Sequence, residues 1–246
     1  MANPLGITSD GRGITTLTLD SPDNRNALSA ELVGGLREAL AQAGADRSIR
    51  AVVLTHTGGT FCAGADLKSP SNPYDFVALL REITESPKPV LARVTGHVRA
   101  GGLGLLGACD LAVAGPESSF AFTESRLGLA PAVISLPLLP RLDPRAASRY
   151  FLTGERFDAA EAARIGLLTL AAPEVDQGLR PILEGLRQAS PQGLAESKRL
   201  VTAGVRAAFD RDADDLVVLS ARLFASPEAR EGVAAFLERR DPTWAS

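Results

Sequence analysis

Pro89-Val90-Leu91-Ala92-Arg93-Val94-Thr95-Gly96-His97-Val98-Arg99-Ala100-Gly101-Gly102-Leu103-Gly104 reads as three elements in succession: a short apolar run, a glycine-rich loop and the opening of an apolar helix through Leu103–Ala108. A run like Val90–Val94, bounded by proline and glycine, is what a strand covered on both faces looks like. Ala51-Val52-Val53-Leu54-Thr55 is a second such run. It leads into another glycine-rich loop, Gly58-Gly59-Thr60-Phe61-Cys62-Ala63-Gly64-Ala65-Asp66-Leu67, and a helix expected over Tyr74 to Thr84, closed by Pro87 and Pro89. The same theme therefore occurs twice, and Leu111–Ala114 supplies a further strand.

Working outward, Ile14, Leu17 and Leu19 follow the turn signal Asp10-Gly11-Arg12-Gly13, which predicts an opening hairpin. Ser29 then caps an amphipathic helix carrying Leu32, Leu36, Leu40 and Ala43. From Asp143 onward the periodicity is almost wholly helical: Pro144 to Leu152, Ala159 to Ile165, Gln177 to Ala189, Gly193 to Phe209, Ala213 to Phe224 and Pro227 to Arg239. Only Leu168-Thr169-Leu170 looks extended. The expectation is an α/β core of strand–strand–helix units over residues 1–190 and a helical region over 191–246. No linker, low-complexity tract or sequence repeat divides the chain.

Bulk properties narrow the function classes. The 246 residues are 45% hydrophobic and 22% charged, enough for a full core without disulfides or metal. A net charge of −3 offers no general attraction to nucleic acid or an anionic membrane. The longest apolar stretch, Ala100 to Gly115, holds five glycines and Asp110, so no membrane span is expected. Met1 to Gly6 lacks a secretory pattern. Cys62 and Cys109 then read as buried reduced thiols, and a cytoplasmic location is expected.

Neither glycine-rich loop fits a phosphate cradle or a dinucleotide fingerprint. Glycine lets a backbone N–H approach a ligand closely, and the helix after Gly101 points its positive end at whatever lies there. Two such donors can form an oxyanion hole. Tight helix–strand packing explains the same glycines, and the residues alone leave both readings open.

The order of motifs resembles the crotonase (enoyl-CoA hydratase/isomerase) family. Phe61-Cys62-Ala63-Gly64-Ala65-Asp66-Leu67-Lys68 is similar to its first oxyanion segment, and Gly96 through the glycine-rich turn to Cys109-Asp110 is similar to its second. Asn26-Ala27-Leu28, Phe120-Ala121-Phe122-Thr123-Glu124, Leu152-Thr153-Gly154, Gly166-Leu167 and the closing Glu231–Arg240 follow in the family's order, so the resemblance covers almost the whole chain.

The resemblance implies a crotonase-like (ClpP/crotonase) spiral of ββα units. It implies an acyl-CoA thioester whose carbonyl is held by the N–H groups of Ala65 and Gly101, with Glu124 as acid/base. It also implies substrate contacts at Ala63, Asp66 and Gly104, and phosphate contacts at Arg25 and Lys68. No cofactor or metal is implied beyond the coenzyme A of the substrate. Homotrimers or hexamers are implied, with 191–246 as the trimerisation region. One position departs from the pattern: where the family often has a first glutamate, this chain has Gly104. That opening is expected to leave space for water or a bulky acyl chain. The segment Glu124–Ile134 also resembles a subgroup acting on methylglutaconyl-CoA-like substrates. Hydration is the leading reading, with a single-carboxylate Δ3–Δ2 isomerase and an inactive acyl-CoA binder as alternatives. Arg99 is expected at a substrate carboxylate or a subunit boundary, and His56 and His97 in structural or rim roles.

Overall fold

The computed structural model describes residues 3–66 and 71–245. The chain opens on a hairpin of β1 (Leu5–Ser9) and β2 (Ile14–Leu19), paired antiparallel. The Asp10 carboxylate closes its turn by accepting from the N–H groups of Arg12 and Ile14. Helix α1 (Ala30–Ala45) follows, with the Ser29 hydroxyl accepting from Leu32 N–H at 3.2 Å as its cap. Its apolar stripe of Leu32, Val33, Leu36, Leu40 and Ala43 is buried, as the periodicity predicts.

Two further units repeat this order. The first is β3 (Ala51–His56), β4 (Thr60–Cys62) and α2 (Pro73–Glu85); the second is β5 (Val90–Val94), β6 (His97–Arg99) and α3 (Gly101–Ala108). Strands β7 (Leu111–Ala114) and β8 (Ser119–Ala121) begin a third, which passes through a 3₁₀ turn at Glu124–Leu127 to α4 (Ser135–Leu138). In each of these units the first strand joins one sheet and the second joins another. Helix α5 (Pro144–Thr153), β9 (Phe157–Asp158), α6 (Ala159–Arg164), β10 (Leu170–Ala171) and α7 (Val175–Gln188) complete the wrap. The larger sheet runs β1-β2-β3-β5-β7-β10, parallel from β2 onward, and the smaller runs β4-β6-β8-β9. This is the spiral of ββα units that the resemblance implies.

Sequence and structure differ in several places: the stretch expected to be extended at 168–170 is a strand only at Leu170–Ala171, and helix α4 was not expected. The short strands of the smaller sheet lie inside stretches read as loops, because two or three residues show no alternation. The helical breaks of the tail also fall elsewhere. Helix α8 (Pro191–Val201) stops at Thr202, and α9 (Ala203–Phe224) continues straight through Asp210–Asp212. The Thr202 hydroxyl is buried and donates to Lys198 O at 2.7 Å, competing with the helical ladder. The acidic stretch stays helical because its charges remain in solvent.

Helix α9 packs on α2 and α4 of the same chain and buries Val205, Ala208, Phe209 and Val217. Lys198 locks α8 to the core. Its ammonium meets Asp110 Oδ2 at 2.8 Å and donates to the carbonyls of Ile83 (2.7 Å) and Lys88 (2.9 Å). A buried ion pair with its remaining bonds satisfied fixes register more than it adds stability. Among the described residues no helix is long and apolar enough to cross a membrane.

Candidate active site

Three adjacent parallel strands, β4, β6 and β8, release their chains on the same edge of the smaller sheet. The three segments that leave are Ala63-Gly64-Ala65, Ala100-Gly101 and Phe122-Thr123-Glu124. Sheet topology therefore brings together residues about 60 positions apart, at the carboxyl ends of strands where α/β proteins place ligands.

The first segment is held from the N-terminal side. Arg25 O accepts from Ala63 N–H at 3.1 Å, Leu28 N–H donates to Gly64 O at 2.8 Å, and Asp66 N–H donates to Leu28 O at 3.4 Å. Asp66 Oδ2 also accepts from Asn24 Nδ2 at 3.2 Å. With the bonds on either side of it turned toward Leu28, the Ala65 N–H points the other way. Asn26 supports this loop: it is fully buried and its amide donates to Thr57 O (3.0 Å) and Thr60 O (2.7 Å). The motif Asn26-Ala27-Leu28 was legible in the sequence; its task as a brace was not.

The second segment turns sharply. Ala100 sits at φ 44°, ψ −120°, a conformation costly for a residue with a Cβ. It is held there by its N–H donating to Ala121 O and by its carbonyl accepting from Leu103 N–H. Gly101 then opens α3, so its N–H has no intrahelical acceptor. The two segments touch: a Cβ on Gly64 would lie 3.2 Å from Gly101 N. Among the described residues, neither the Ala65 nor the Gly101 N–H donates to a protein acceptor. Side by side at a helix N-terminus, two free donors can hold an oxyanion.

Glu124 opens the 3₁₀ turn and is buried, 8% exposed, with Oε2 lacking any hydrogen-bond partner among the described residues. Burial pushes its carboxyl up from 4.5 to about 7. A group poised there exchanges a proton readily at neutral pH.

Gly104 lies one turn along α3 from Gly101, on the same face. The expected opening is not there. A Cβ on Gly104 would lie 2.6 Å from Ile134 Cγ2 and 3.4 Å from Phe76 Cζ, so Ile134 fills the volume. One on Gly101 would meet Leu28 Cδ1 at 3.0 Å and the same Phe76 atom at 3.6 Å. Leu28, Phe76 and Ile134 thus form a dry wall beside the two donors. Leu28 and Ile134 stood in the family-like motifs of the sequence, but the wall they build with Phe76 was not legible there.

The remaining expected residues sort plainly. Arg25 is exposed and takes a left-handed conformation at φ 59°. Lys68 lies outside the described residues. The Arg99 guanidinium is spent on Val98 O, Ser119 O and Ser119 Oγ at 2.6–2.8 Å. His56 is buried, accepts from Thr95 N–H at 3.1 Å and packs edge-on to Phe61, a structural role as expected. His97 is exposed beside Ser119 Oγ. Both cysteines are free and buried, and burial pushes each thiol up to about 12.

With this geometry in place, comparison with known proteins is decisive. The model of a family described as enoyl-CoA hydratase/isomerase matches residues 9–246. The chain belongs to the enoyl-CoA hydratase/isomerase family. A solved enoyl-CoA hydratase from Mycobacterium avium is 53% identical, covering 99% of this chain and all of the other, at a TM-score of 0.94. A carnitinyl-CoA hydratase from the same organism is 28% identical over 99% of both chains at a TM-score of 0.88. The mouse mitochondrial enoyl-CoA hydratase domain-containing protein 2 is 32% identical, over 96% of this chain and 86% of its own length. The family is enzymatic, and its members act on acyl-CoA substrates.

Glu124 is aimed by the segment that carries it. With Oε2 unpartnered among the described residues, the carboxylate inherits its position from the backbone of its turn. Helix α10 (Pro227–Glu238) grips that turn at two glycines. A Cβ on Gly128 would fall 2.6 Å from Glu228 C, and one on Gly232 would fall 2.5 Å from Leu127 C and O. Arg126 Nε adds a bond to Thr153 O at 2.9 Å. Gly232→Ala must therefore push the turn away, and a displacement near 1 Å should lower kcat by roughly 10² while KM changes far less. Gly185→Ala, where nothing lies within 4 Å of the added methyl, should leave both constants unchanged in the same steady-state assay. Equal kinetics for the two variants would refute the grip.

Proposed function

We propose that this chain hydrates an α,β-unsaturated acyl-CoA thioester with one carboxylate, Glu124, and an oxyanion hole made by the N–H groups of Ala65 and Gly101. The observation that carries the reading is a buried Glu124, its Oε2 without a partner among the described residues, on a segment that leaves the same sheet edge as two N–H donors with no protein acceptor among those residues. Water adds through its oxygen to the β carbon as ionised Glu124 takes one of its protons. The displaced electron pair moves onto the thioester oxygen, where the two donors stabilise it. Glu124 then gives the proton to the α carbon, restoring the thioester carbonyl and its own charge. Each donor is worth about 3 kcal/mol in such sites.

Ala63 and Asp66 shape the first donor segment, and Arg25 and Lys68 are assigned to the phosphates of coenzyme A. Gly104 serves by letting Ile134 close over the helix. The wall of Leu28, Phe76 and Ile134 suits an apolar acyl chain. A methylglutaconyl-CoA-like chain needs a cation for its carboxylate, and Arg99 is already engaged by Ser119. The same wall favours a second reading, Δ3–Δ2 isomerisation, in which Glu124 moves one proton from the α to the γ carbon with no water held nearby.

Both reactions start from ionised Glu124, so kcat/KM should rise with pH and level off above about 7. Glu124→Gln keeps the shape and should lower turnover by about 10²–10⁴. Crotonyl-CoA hydration followed by absorbance, beside deuterium entry at the α carbon, separates the readings. Exchange without hydration selects the isomerase, neither reaction in the wild type leaves an acyl-CoA binder, and unchanged rates in Glu124→Gln would remove Glu124 from the mechanism.

We propose a homotrimer, or a hexamer of two trimers, joined through residues 191–246. Within the chain Leu216, Leu219, Leu223 and Val233 are half-buried. Val218, Phe224, Phe236 and Leu237 remain 48–64% exposed on α9 and α10, an apolar face unusual for a solitary chain. Light scattering at micromolar concentration should give at least three times the 25.7 kDa chain mass. A clean monomer would contradict the proposal.

A further inference from the structure

At the end of α3 away from Gly101 lies a cavity of about 80 Å³, lined among others by Cys109, Asp110, Leu138, Arg141, Gly166 and Thr169. Three polar atoms of its lining residues are buried without a hydrogen-bond partner among the described residues: Asp110 Oδ1, Arg141 Nε and Arg141 Nη2. Such atoms cost free energy unless something outside the chain completes them.

The charges say what that something is. Asp110 is already matched by Lys198 through Oδ2, which also accepts from Val90 N–H at 2.7 Å. Arg141 donates through Nη1 to Cys109 O at 3.1 Å, and no carboxylate among the described residues pairs with it. The group therefore carries one uncompensated positive charge. Its open edge, Nε with Nη2, is the planar fork that grips two oxygens of one anion.

We propose that this cavity is a binding site for a small planar oxyanion of the carboxylate or hydrogencarbonate class. Two oxygens accept from Arg141 Nε and Nη2, and a hydroxyl of the anion or a companion water donates to Asp110 Oδ1. A water needs about 15 Å³ of such space, so the cavity accommodates an ion of three or four heavy atoms. The site stands at the opposite end of α3 from the oxyanion hole and is independent of the chemistry proposed there.

Sodium formate is the probe. Crystals of the wild-type protein grown with and without it should show formate seated on the Arg141 fork. Thermal unfolding in 100 mM formate should lie about 2–4 °C above that in 100 mM chloride. Arg141→Gln should abolish the difference. The crystallographic reading needs no variant, so a poorly folding Arg141→Gln leaves the test intact. Water alone at the fork, or a formate shift that survives Arg141→Gln, overturns the site.

Discussion

Everything in the proposed site depends on two backbone segments being able to touch. Gly64 and Gly101 lie at the ends of neighbouring strands, so close that a side chain on the first would press on the nitrogen of the second. Only that approach sets the Ala65 and Gly101 N–H groups beside one another. The supports exist to sustain it: the Leu28 bridge and the Asn26 brace hold one segment, and the strained Ala100 turn aims the other. Strain at Ala100 is tolerated because β8 and α3 both bond to it.

The fold treats its buried charges in two opposite ways. Lys198 and Asp110 are paired, and two carbonyls and an N–H satisfy most of what remains. Glu124 receives burial without a partner for Oε2, which is costly for a carboxylate and is the condition that raises its proton affinity. A group meant only to stabilise would be paired. Because no side chain among the described residues steadies that carboxylate through Oε2, the aiming falls to the backbone and ultimately to α10, over 100 residues later in the chain.

Much of this was legible in advance. The apolar runs at 51–55 and 90–94 announced the buried strands, Ser29 announced its helix, and the ordered motifs pointed to the family. The short strands of the smaller sheet were not legible, since a three-residue strand such as β6 carries no period and owes its form to its neighbours. Gly104 was legible as a missing carboxylate and misread as an opening. Which side chain fills a glycine's space is a tertiary fact, and Ile134 comes 30 residues later. The grip of Gly232 on Leu127 was hidden for the same reason.

The central claim is that burial holds Glu124 ready to exchange a proton near neutrality. Infrared difference titration reads it directly, as the protonated-carboxyl band present in the wild type and absent from Glu124→Gln. The structure predicts a midpoint at about 7. A midpoint near the ordinary 4.5 would contradict it and remove Glu124 from the mechanism.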